Sequence, residues 1–150
     1  DTQTKFNKIN SLRDESNLKS INANSTKYWK ASKTFTYSGN SKFKAKSEAT
    51  IKLVGAGSMY SISAVTAVWT VGDSGSYTWQ WNQLSAWSSG MTGSKVDLGG
   101  SGVFTITVQN TGGVGMDIPG FSVSASTTAT KTYTSKSMQM SWTWFNNSGQ

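Results

Sequence analysis

The chain has no cysteine, no histidine, one proline and only seven acidic residues in 150. Each shortage removes a class of chemistry. Without cysteine there are no disulfide staples, thiol nucleophiles or thiolate metal sites, so the core must stabilise the fold by itself. Without histidine, imidazole-based catalytic triads and histidine-ligated zinc, iron or copper are excluded. No apolar run approaches the roughly 18 residues that a membrane-spanning helix needs.

The acids are Asp1, Asp14, Glu15, Glu48, Asp73, Asp97 and Asp117. A glycosidase-type pair requires two carboxylates about 5 to 9.5 Å apart across a cleft. Asp73, Asp97 and Asp117 instead sit in glycine-rich stretches and read as turn formers, and no EF-hand spacing supports calcium. The pattern Ser-x-x-Lys occurs at Ser16/Lys19 and Ser41/Lys44 without the motifs that accompany it in penicillin-binding enzymes. In an extended segment, Ser41 and Lys44 point to opposite faces, which forbids direct proton transfer. The glycine runs fit neither the Walker pattern nor the dinucleotide fingerprint. The expectation is a non-enzymatic protein with no cofactor and no metal site.

What is present is aromatic, hydroxylated and basic. Six Phe, five Tyr and seven Trp suffice for one core, and the length fits one domain. Residues 1–52 hold eleven basic and four acidic side chains, while residues 53–150 hold three of each, so the net charge of +7 belongs to the first third. All the basic residues but Arg13 are lysines, which suits diffuse attraction to anionic surfaces and argues against sequence-specific nucleic-acid reading, where arginine forks dominate. A start at Asp1 fits an exported protein whose leader has been removed, and a trimmed chain would start the same way. A secreted or cell-surface location is therefore expected.

Residues 1–27 are polar and basic. Phe6, Ile9 and Leu12 share a helical arc that Leu18 and Ile21 do not continue, which predicts a mobile arm with at most a short helix over residues 4–14. From Tyr28 onward the apolar period is two, defining a β domain over residues 28–150. Glycine-rich turns divide it into segments 28–37, 42–54, 58–71, 76–87, 94–98, 103–109, 120–134 and 137–145. The predicted fold is all-β, an antiparallel sandwich or barrel of about eight strands. Its expected core is Phe35, Tyr37, Phe43, Ile51, Leu53, Val65, Trp69, Val71, Phe104, Ile106, Val108, Phe121 and Val123. A strand of 42–54 is long enough to predict a bulge near Ser47.

Two surface features carry the functional expectations. Lys42, Lys44, Lys46 and Lys52 alternate with apolar residues and form a cationic row, joined by Lys30 and Lys33 in the preceding segment; these lysines also suit the protection of a sheet edge. Tyr77, Trp79, Trp81 and Trp87 share one parity, Met138, Met140, Trp142 and Trp144 another, and the two rows are expected to face each other across the core. Tyr60, Trp87 and Tyr133, near strand ends, are the candidates for exposed aromatic contact. Ser122 to Thr134 form a row of hydroxyls at alternate positions, read as a solvent face.

These features predict association with an anionic envelope polymer or lipid surface, in an effector or toxin-like role. Two alternatives are a carbohydrate-binding module that uses exposed rings on a polysaccharide, and a structural surface or fibre subunit that self-associates through the N-terminal arm.

Overall fold

A computed structural model of the chain describes residues 24–110 and 116–147. The arm expected over residues 1–27, with its short helix, falls almost wholly outside the described residues. Among those described there are eight strands and no helix: β1 Ser25–Thr36, β2 Lys44–Ala56, β3 Met59–Ser74, β4 Trp79–Ser89, β5 Lys95–Gln109, β6 Phe121–Ser126, β7 Thr130–Ser135 and β8 Met138–Phe145. β1, β2 and β3 form one antiparallel sheet in that order. The second sheet runs β4-β5-β7-β6, with β8 also paired to β5. β7 and β8 lie end to end along one side of β5, opposite residues 105–109 and 95–102 respectively.

The two sheets pack face to face, which makes the fold a sandwich. At one end of the core, Tyr37, Phe43 and Ala45 meet Phe104, Ile106, Ile118, Tyr133, Met138 and Met140. At the other end, Ala31, Ala49, Ile51, Leu53 and Ile62 meet Val96 and Leu98. Alternation places these side chains inward because successive residues of a strand point to opposite faces.

Turn chemistry explains where the strands end, and also where the sequence misleads. Gly57, at φ 61°, opens the two-residue β2–β3 hairpin, whose flanking residues Ala56 and Met59 are paired. Segments 94–98 and 103–109 are one strand. Gly99 and Gly102 serve packing there rather than turning, since a Cβ on Gly99 would collide with the Trp87 indole and one on Gly102 with the Trp81 indole. Conversely, segment 120–134 folds back on itself at residues 127–129. The Thr127 hydroxyl accepts hydrogen bonds from the Ala129 and Thr130 amides at 3.1 and 2.9 Å, forming a turn without glycine or proline. The hydroxyl row is therefore split between two strands, and Ser124 pairs with Thr134 across them at 2.7 Å.

Four further expectations are corrected. Ser47 is regularly paired, and the irregularities of the β2–β3 pairing fall instead opposite Lys44/Ala45, Thr50/Ile51 and Lys52/Leu53, where β3 carries the extra residue. The aromatic rows of β4 and β8 lie on one sheet, flanking β5, rather than opposite each other. Among the expected core residues, Val71 is exposed because it pairs with Lys46 on the outer face, and Val123 is exposed on the edge strand β6. Trp69 is half-buried on the lysine face, opposite Glu48. Asp73 and Asp97 lie within β3 and β5 rather than in turns.

Candidate functional site

The β1–β2–β3 sheet turns its outer face to solvent, and the register brings Lys30, Lys44, Lys46 and Lys52 onto it. Lys33 has the opposite parity, paired with the buried Ser47, and its ammonium lies 5.7 Å from the Phe35 ring. Lys42 belongs to the β1–β2 turn. The six lysines named from sequence are therefore not one row. β2 is moreover the central strand of its sheet, so the edge is guarded by Lys27, Lys30 and Lys33 of β1.

At the centre of the lysine face sits Glu48, a buried carboxylate that the alternation alone assigns to solvent. Ser32 donates to its Oε2 at 2.7 Å and the Trp69 indole to its Oε1 at 2.9 Å. Lys30 Nζ lies 3.5 Å from Oε1 and Lys46 Nζ 4.0 Å from Oε2; Lys46 also reaches Asp73 at 3.4 Å. Burial pushes the Glu48 carboxyl up, but the Ser32 and Trp69 hydrogen bonds, with the Lys30 and Lys46 charges, outweigh it and hold the group below its ordinary value. Half of the outward lysines are thus neutralised locally, which weakens this face as a polyanion site.

The three aromatic candidates separate. Tyr133 is only 3% exposed, inside the core opposite Ile106, because β7 turns that parity inward. Trp87 is half-buried against Gly99 on the outer face of the second sheet: the register shift between Gln83 and Ser85 flips it away from Trp79 and Trp81. Tyr60 is half-buried, with its hydroxyl 2.6 Å from Ser25 Oγ and the Lys27 ammonium 4.1 Å from its ring centroid.

Tyr60 lies at the end of the sandwich where several exposed apolar side chains occur. At the end of the sandwich formed by the start of β1, the β2–β3 hairpin, the loop of residues 90–94 and the end of β8, the exposed side chains include Tyr28, Trp29, Met59, Met91 and Phe145. Met59 is 74% exposed and Trp29 54%. Asn146 ties this end together, its backbone N–H donating to Ser94 O and its side-chain amide to Tyr60 O, while Ile62 N–H donates to Gly93 O. Lys27 flanks the rings, Lys52 pairs with Tyr28, and Lys95 pairs with Phe145. Of the described carboxylates, Asp97 is nearest, and it accepts a 2.6 Å hydrogen bond from Thr143.

Sequence reasoning missed Tyr28, Trp29 and Phe145. A signal was present: adjacent residues of a strand face opposite ways, so Tyr28-Trp29 must place one ring on each side of edge strand β1, between Lys27 and Lys30.

Between β1 and β8 lies a cleft of about 270 Å³, lined by Lys27, Trp29, Leu53, Trp144, Phe145, Asn146 and Asn147. A second, shallower depression of about 600 Å³ lies where β3 meets β4. There Gln83 Oε1 accepts from both the amide and the hydroxyl of Thr70, so its polar centre is already satisfied internally. No group of three or more acidic, His or Cys side chains gathers among the described residues. The chain matches no family model, no curated protein and no solved structure.

Proposed function

We propose that this is a non-enzymatic, exported β-sandwich protein that attaches to anionic envelope or membrane surfaces through the end bearing Tyr28, Trp29, Met59, Met91 and Phe145, in an effector or toxin-like role. The observation that supports it is that exposed rings and methionines from both sheets, with Lys27, Lys52 and Lys95 among them, occur at one end of the sandwich. Exposed apolar groups rimmed by charge are a costly arrangement that commonly marks a contact surface. Lysines near an anionic surface contribute about 1 kcal/mol each, and amphipathic rings settle at the polar–apolar boundary.

The lysine face around Glu48 plays a lesser part in this reading, because Lys30 and Lys46 already have anionic partners. Cosedimentation with anionic vesicles and with anionic wall polymers tests the proposal. Binding is expected to fall as salt rises, and to fall about 100-fold when Lys27, Lys52 and Lys95 are all changed to Gln, at about 1 kcal/mol per lysine. Undiminished binding of that triple variant would overturn it.

A further inference from the structure

We infer that the cleft between β1 and β8 binds a single acidic sugar ring, such as a uronate unit of an envelope polysaccharide. This rests on the surface-binding reading and narrows it from a diffuse anionic layer to one chemical group. The size sets the first limit: about 270 Å³ lies just under the range of small-molecule pockets, roughly 300 to 1,000 Å³, and suits one ring rather than an extended chain.

The lining sets the second. Leu53 is buried, and Trp29, Trp144 and Phe145 supply flat aromatic surfaces. An aromatic face carries negative charge density, so it favours the C–H groups of a pyranose ring and repels a carboxylate. The carboxylate is then matched by Lys27, whose ammonium is held over the Tyr60 ring at 4.1 Å and is thereby kept at this end. Asn147 adds a side-chain amide to the lining, and β1 and β8 are each paired on one side only among the described residues, which leaves backbone donors and acceptors for hydroxyls. An acyl chain would leave Lys27 and these polar groups unmatched, and a neutral sugar would leave Lys27 without its counter-charge.

The test is a tryptophan-fluorescence titration of the full chain with trigalacturonate, maltotriose and inorganic phosphate. A saturable change with trigalacturonate is expected, with maltotriose about tenfold weaker or more, the range that follows from losing one charge-assisted hydrogen bond. Lys27→Gln should abolish that preference for the acid, and Trp29→Ala should weaken binding of both sugars; cooperative melting within a few degrees of the parent confirms that the variants fold. The inference is overturned if trigalacturonate gives no saturable response, if maltotriose binds equally well, or if Trp29→Ala binds as tightly as the parent. Inorganic phosphate competing as well as the uronate would also overturn it, by assigning the cleft to a phosphate headgroup. Vesicle and polymer binding measured in parallel separates the two readings. Surface binding without a sugar response defeats the cleft assignment alone, whereas a sugar response without surface binding defeats the surface reading and leaves the cleft standing.

Discussion

The two ends of the sandwich are finished in opposite ways. At the end near the β1–β2 turn, Tyr37, Phe43, Phe104 and Phe121 interlock, with ring centroids 4.8 to 6.4 Å apart. The Tyr37 hydroxyl donates to Gly120 O at 2.6 Å and accepts from the Lys136 amide at 3.0 Å, while Asn40 donates to Pro119 O at 3.0 Å. These four rings pack into the core there and polar groups tie the loops together, although Tyr77 of the adjoining β3–β4 loop is exposed. At the other end the fully buried residues are aliphatic, Trp142 and Trp144 pack partly buried against them, and Tyr28, Trp29 and Phe145 are exposed. Aromatic area stabilises the fold at the first end and is left available for contact at the second.

This contrast is open to direct attack. Phe104 touches Tyr37, Phe43, Trp79 and Trp81, so Phe104→Ala should cost about 3 to 5 kcal/mol in denaturant unfolding. A smaller loss would mean that the sealed end is less tightly packed than its ring geometry implies. Tyr37→Phe keeps the ring and deletes the two hydroxyl bonds; a cost of about 1 to 3 kcal/mol is expected, with surface binding unaffected.

Glu48 gives a third, weaker effect, read from stability against pH. Its folded pKa lies below the ordinary value of 4.5, so the ionised carboxylate stabilises the fold above about that pH, and the contribution is lost as pH falls through the lower folded value. Glu48→Gln should flatten the stability profile in that acidic window and leave neutral-pH surface binding nearly unchanged. The smallest stability effect belongs to the open end: Trp29→Ala should cost about 1 kcal/mol or less, because half of the ring is already in water. A large loss of stability there would erase the distinction between the ends.

Much of the fold was legible because alternation is a local property. Phe43, Ile51 and Leu53 read as inward from spacing alone, and all are buried. The misreadings arose where tertiary contacts decide. Gly99 and Gly102 look like turn residues until the indoles of Trp87 and Trp81 occupy the space above them. Thr127 turns the chain through its hydroxyl, in a run of Ser and Thr that gives no local warning. One irregular residue, Leu84, reverses the facing of Trp87. The candidate surface was less legible still. Tyr60 and Lys52 were named, but whether a ring is covered depends on where the opposing sheet stops, and spacing within one strand carries no record of that. Glu48 shows the same limit: its place on the outer face follows from parity, and its burial follows from Trp69 and Ser32 closing over it.

β5 spans both core clusters, contributing Val96 and Leu98 to one and Phe104 and Ile106 to the other. Separating the sheets at either end therefore disturbs a strand on which both depend, and denaturation should proceed as one cooperative event rather than in halves. The outward rings are consequently borne on a stiff frame, and whatever they meet is gripped with little further ordering of the backbone that carries them.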